Sequence, residues 1–153
     1  MEVIRQITSN PIVWTAVASW AAAQILKIII EFAQNKTLDL SRITGTGGMP
    51  SSHSSFVTAL ATATGIHSGF DSTYFAIAMA LAFIVMYDAQ GVRRQAGKQA
   101  AVLNMVIKLI LEKDNVKIEQ NLKELLGHTP LQVFFGALLG IFTAVVFHLI
   151  GFI

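Results

Sequence analysis

The sequence predicts an all-α fold, a multi-pass membrane helical bundle formed by one domain over residues 1–153. Three observations carry this. Hydrophobic residues make up 54% of the chain and charged residues only 13%, where a soluble domain carries roughly 25% charged residues. Four apolar segments recur, at about 11–32, 54–66, 74–87 and 131–153. A polar but patterned stretch, 90–127, separates the third from the fourth. The net charge of +2 is too small to argue for nucleic acid as a partner, and the absence of cysteine excludes disulfides and thiolate metal sites.

The first segment, Pro11 to Phe32, is long enough to cross a bilayer, which takes roughly 20 residues. It matches neither a cleaved signal nor a transit peptide, because the apolar run is long, lacks a clear small-residue cleavage site and carries Lys27 near its end. The second and third segments are short for a full span. Their Ala, Thr and Gly content, or their polar ends, suit helices packed against other helices and not facing lipid. The fourth is almost unbroken. Within 90–127, Val92, Ala96, Leu103, Val106, Ile107 and Ile110 recur at helical spacing, as do Ile118, Leu122 and Leu125. This predicts two amphipathic helices, the first continuing segment three and the second lying at the interface.

With four spanning segments, the N-terminus, the 67–73 loop and the C-terminus share one side, with Arg5 as its only Lys or Arg. The opposite side holds Lys36, Arg42, Arg93, Arg94, Lys98, Lys108, Lys113, Lys117 and Lys123. The positive-inside rule makes that side cytoplasmic, in what reads as a bacterial cytoplasmic membrane. Independently of orientation, His53, Asp88, Arg93, Arg94 and His128 fall on one membrane face. His67 and His148 lie on the other and are assigned no role.

Four constellations on this frame carry chemistry. Gly47-Gly48-Met49-Pro50-Ser51-Ser52-His53-Ser54 places a histidine and several hydroxyls where an apolar helix begins. A helix N-terminus offers free N–H groups and partial positive charge, and so suits an anion such as phosphate. The same residues also read as plain helix capping beside a surface histidine. Tyr87-Asp88-Ala89-Gln90-Gly91-Val92-Arg93-Arg94 sets a carboxylate and two arginines at the end of a membrane segment. Arginine's planar fork suits phosphate; snorkelling to lipid head groups, with Asp88 as counter-ion, is the other reading. Gly127-His128-Thr129-Pro130 opens the fourth segment, with Thr129 as the cap and Pro130 in the first turn. Two histidines at helix mouths on one membrane face, with arginines, suggest a nucleophile and a general acid for phosphoryl transfer. Finally, Gln24, Lys27 and Glu31 share a helical face. Lys27 either pairs with Glu31 or reaches the phosphate, and Arg42 is a further phosphate candidate. No metal site is predicted, since no His-Glu pair has ligand spacing and Asp88 alone does not build a magnesium site. No cofactor is implied.

Three strings carry a family resemblance: Gly-Gly-Met-Pro-Ser-Ser-His-Ser at 47–54, Tyr-Asp-Ala-Gln-Gly-Val-Arg-Arg at 87–94 and Leu-Gly-His-Thr-Pro at 126–130. Pro50-Ser51-Ser52-His53 resembles the Pro-Ser-Gly-His motif of the type-2 phosphatidic acid phosphatase superfamily, which includes the vanadium haloperoxidases. The fuller pattern is similar to its divergent membrane branch, and the resemblance covers nearly the whole chain. It implies metal-independent removal of phosphate from a lipid through a phosphohistidine, with His128 as nucleophile and His53 as the acid that protonates the leaving oxygen. The chain departs from the wider superfamily in three places. Leu122 stands where an arginine is expected six residues before the nucleophile. Gln132 stands where an aspartate is expected four residues after it. Lys36 and Arg42 are six apart where seven is expected, with Ile43 in place of the proline. Phosphate binding is therefore assigned to Arg93, Arg94, Ser51 and Ser52, with Lys27 and Arg42 behind them; Gly48, Pro50 and Gln132 support the site. Gln132 holds a tautomer but supplies no charge, a role left to Asp88.

The expected activity is that of a lipid phosphate phosphatase acting on a phosphomonoester or diphosphate head group. The alternative is a non-catalytic binder or translocator of anionic lipids that uses the same site. The expected partners are a phosphorylated lipid, the bilayer and a second copy of the chain through Gly136 and Gly140, a Gly-x-x-x-Gly pair that permits close helix contact within or between chains.

Overall fold

The computed structural model describes residues 1–36, 48–114 and 127–153, apart from the side chains at 34–35, 93–94 and 109–114. The described residues form helices α1 (Glu2–Thr8), α2 (Pro11–Asn35), α3 (Ser52–Ser68), α4 (Thr73–Gln90), α5 (Val92–Asp114) and α6 (Pro130–Leu149), with no strand among them. Polar side chains set the starts. Asn10 accepts from the Ile12 and Val13 N–H groups, and Pro11 fills the first turn of α2. Ser51, Ser72 and Thr129 cap α3, α4 and α6 in the same manner. Gly91 alone separates α4 from α5, so the first amphipathic helix does follow segment three, after a one-residue break. The second, read over Ile118 to Leu125, lies outside the described residues.

Among the described residues, three stretches are long and apolar enough to cross a membrane: Pro11–Ala33, the run Thr73–Lys108 and Pro130–Leu149. Helix α3 is different. Its 17 residues rise about 26 Å, short of the ~30 Å hydrocarbon core. It packs against α2, α4 and α6 and forms the centre of the bundle. Ala59 and Ala63 are wholly buried, as are Ser54 and Ser55.

Small residues allow this. A Cβ on Gly136 would collide with the Ser51 carbonyl, and one on Gly140 with the Thr58 hydroxyl and the Ser55 carbonyl. Without these side chains the α3 and α6 backbones approach closely. The glycine pair that the sequence offers to a contact within or between chains packs here against the chain's own α3. Hydroxyls add interhelical hydrogen bonds. Ser19 and Ser55 each donate to the other's carbonyl, at 3.2 and 3.1 Å. The Thr58 hydroxyl lies 3.1 Å from the Ala137 carbonyl. Bonds of this kind contribute on the order of 1 kcal/mol each in a membrane.

Helix α4 corrects the expectation that both short segments turn away from lipid. Only Ala78, Ala82 and Ala89 are buried, while Tyr74, Ile77, Phe83, Ile84 and Tyr87 are exposed. Ala78 and Ala82 pack against Val57 and Ala61 of α3, and the large residues on the other faces point outward. The expectation holds for α3, which has partners on three sides.

Candidate active site

The caps put both histidines at helix entrances. Ser51 accepts from the Ser54 N–H, which starts α3 at Ser52 and places His53 in its first turn. Thr129 accepts from the Gln132 N–H, and Gln132 Oε1 accepts from the Thr129 N–H at 3.0 Å. This reciprocal box starts α6 at Pro130 and leaves His128 just outside it. Two main-chain bonds tie the entrances together. The Ser51 N–H donates to the Gln132 carbonyl at 3.0 Å, and the His128 N–H donates to the Ala89 carbonyl of α4 at 3.1 Å. The imidazoles of His53 and His128 consequently sit with ring centres 6.5 Å apart and planes inclined at 59°. His128 is buried, and His53 is exposed.

Gln132 Oε1 also lies 3.3 Å from His128 Nδ1. The Thr129 N–H identifies that atom as the amide oxygen, an acceptor. Nδ1 is then the donor, and in the neutral ring it carries the proton while Nε2 keeps its lone pair. One side chain both caps α6 and sets the tautomer. Gln132→Ala is expected to lower the Nδ1-protonated fraction of His128, read from ring-nitrogen chemical shifts, and to cost about 1 kcal/mol of helix-entrance stability. Gln132→Glu retains an acceptor and should preserve the tautomer. An unchanged tautomer in Gln132→Ala would refute the assignment.

Lys27 approaches from α2. Its stem runs beside Gly48, where a Cβ would stand 3.7 Å from Cγ and Cδ. Gly48 has φ of 81°, a left-handed conformation that glycine adopts readily. Lys27 Nζ donates to Ser52 Oγ at 3.3 Å, and the residue is only 6% exposed. A buried lysine in a membrane bundle is costly unless it has a partner, and Ser52 supplies one here. Ser51 is fully buried, and its oxygen accepts from both the Ser54 N–H and the Ser54 hydroxyl, so it serves the cap.

Pro50 is buried in the segment leading to α3, and Asp88 is half-buried in the last turn of α4. The Ala89 carbonyl brings that turn against the His128 main chain. Arg93 and Arg94 fall in the first turn of α5, with side chains outside the description; Arg42 lies outside the described residues altogether. The structure thus gathers His53, His128, Gln132, Lys27 and Ser52, with the Asp88 turn alongside. The Ala89 contact was invisible in the sequence, because a main-chain carbonyl leaves no side-chain signal.

The assembled groups offer a nitrogen lone pair, a second imidazole, a buried cation and two helix N-termini whose N–H groups and dipoles favour an anion. Comparison with known proteins agrees with this frame. Residues 8–143 match the Divergent PAP2 family, where PAP2 denotes type-2 phosphatidic acid phosphatase. The chain is also 44% identical over 150 residues to a Bacillus subtilis (strain 168) protein described as the uncharacterized membrane protein YuiD, covering 92% of this chain and 94% of that one. No solved structure matches the chain significantly. The apolar helices and this relative together identify an integral membrane protein. With three ordered motifs meeting at one end of the bundle and the family match running almost end to end, the chain belongs to the divergent PAP2 family.

Proposed function

We propose that the chain is a metal-independent lipid phosphatase, working through a phosphohistidine at the cytoplasmic face of the membrane. The observation that carries this reading is the facing pair His53 and His128, 6.5 Å apart where the α3 and α6 entrances meet. His128 Nε2 attacks phosphorus, and the N–P bond forms as the P–O bond to the lipid alcohol breaks. His53, as imidazolium, gives its proton to that leaving oxygen. Water then attacks the phosphohistidine, His53 takes a proton from it, the N–P bond breaks and phosphate leaves. Lipid phosphate and water have become lipid alcohol and phosphate.

Charge on the transferring group is met by Lys27, Ser52 and the N–H groups at the two helix entrances. Arg93, Arg94 and Arg42 join them on the sequence argument, Ser51 contributes through the α3 cap, and Asp88 is assigned to stabilise the His128 imidazolium. Lys27→Met is expected to weaken competitive inhibition by inorganic phosphate about 10- to 100-fold, the loss of one charge-assisted hydrogen bond. Thermal stability in detergent should hold or rise, since a buried charge has been removed. Unchanged inhibition would remove Lys27 from the phosphate site.

The direct test is phosphate release by the purified protein in liposomes with a metal chelator present, across lipid phosphates and diphosphates. A phosphoenzyme labile in acid and stable in alkali should be trapped during turnover. The second reading, an anionic-lipid binder or translocator, is favoured by Gln132, which supplies no negative charge where the superfamily has a carboxylate. Saturable binding without release from any lipid would select it.

A further inference from the structure

A groove of about 460 Å³ opens on the side of the bundle between α2 and α4 and ends at His53. Val17 and Trp20 line it from α2, Phe56 from α3, and Leu81 and Val85 from α4. Apart from the His53 ring and the Trp20 indole N–H, these walls offer no hydrogen-bonding side chain. Trp20 and Leu81 are 42% and 44% exposed at the rim, on helices long and apolar enough to cross a membrane, an opening that suits entry of a hydrocarbon chain from the side. A second apolar groove, of about 330 Å³, lies between α2 and α6 and includes Leu26, Pro50 and Leu138, but no histidine.

We infer that the α2–α4 groove holds the leaving group of the reaction, and that this group is one hydrocarbon chain attached directly to the phosphoester oxygen: the substrate is the phosphate or diphosphate of a single-chain lipid alcohol. The inference rests on the phosphatase reading, in which His53 protonates the leaving oxygen. The wall next to His53 is apolar from its first residues, so the carbons nearest that oxygen meet only hydrocarbon. A diacylglycerol phosphate would bring two ester carbonyls to the same place, and burying them without donors costs on the order of 1–3 kcal/mol each. A plain alkyl or prenyl chain carries no such groups and gains from burial against these walls.

The test compares three substrates on the full-length protein in detergent: farnesyl phosphate, dioleoyl phosphatidate and the soluble p-nitrophenyl phosphate. Farnesyl phosphate should exceed phosphatidate in kcat/KM by at least about tenfold. Val85→Phe, which narrows the groove, should reduce kcat/KM for farnesyl phosphate about tenfold or more and leave p-nitrophenyl phosphate within about twofold. Leu138→Phe, in the α2–α6 groove, should leave all three unchanged. Phosphatidate as the better substrate would overturn the inference, as would a Val85→Phe effect that is absent or equal on all substrates. A farnesyl-selective loss in Leu138→Phe would place the chain in the wrong groove and overturn it too. A separate reading needs no turnover: in a Trp14→Phe background, a bromine-tailed alkyl phosphate should quench Trp20 saturably and be displaced by farnesyl phosphate. Quenching without release from any substrate keeps the chain groove and removes the phosphatase reading; neither quenching nor release removes both.

Discussion

Replacing His128 with alanine is expected to lower phosphate release by at least about 10⁴-fold, the scale on which enzymes lose a covalent nucleophile. Folding should survive. The bond that anchors this position joins its main-chain N–H to the Ala89 carbonyl, and alanine keeps it. The Gln132 box closes on Thr129 and also persists. Lipid-phosphate binding should remain, because Lys27, Ser52 and the helix entrances are untouched. His53→Ala should behave differently, losing turnover on an alkyl phosphate but much less on p-nitrophenyl phosphate, whose leaving oxygen needs no proton. Initial rates on both esters, with melting curves for each variant, decide the matter. A His128→Ala protein that retains release within about tenfold of wild type would end the phosphohistidine mechanism.

The second large effect is expected far from any titratable group. Gly140→Ala puts a methyl group where the Thr58 hydroxyl, the Ser55 carbonyl and the Ala59 amide already stand. Two of these are main chain of a central helix with partners on three sides, so α3 and α6 must separate. Overpacking of this kind costs about 1–3 kcal/mol or more. The same displacement strains the Ser51–Gln132 bond at the entrance and thereby the spacing of His53 and His128. We expect a clear fall in melting temperature together with loss of turnover, both independent of protein concentration. A loss that instead deepens on dilution would show that the glycine pair serves a second copy. A melting curve that overlays wild type would show that the close α3–α6 contact is not needed.

Much of this molecule was legible in order along the chain. Helix starts were marked by Pro11, by Ser51-Ser52 and by Thr129-Pro130, because capping is local chemistry that a short string records. The two histidines were recognisable for the same reason: each stands beside its own cap. The orientation of α4 was not legible. Its apolar residues run round the whole helix, and only packing distinguishes the seam of Ala78, Ala82 and Ala89 from the lipid face. Lys27 was placed on the right helix, but its hydrogen bond to Ser52 is a tertiary contact between residues 25 positions apart that no local pattern records. Gly136 and Gly140 announced a close contact without saying with what.

By itself, the sequence determined that the chain is helical, lives in a membrane and gathers its polar motifs at one face, because composition, period and caps are properties of neighbouring residues. The tertiary structure alone decided which helix is central, which glycine faces which carbonyl, and that His53 and His128 look at one another. Those are relations between residues as much as 85 positions apart, as between Gly136 and Ser51, set when α3 packs between α2, α4 and α6 and main-chain groups with no side-chain signature, such as the Ala89 carbonyl, close on their partners.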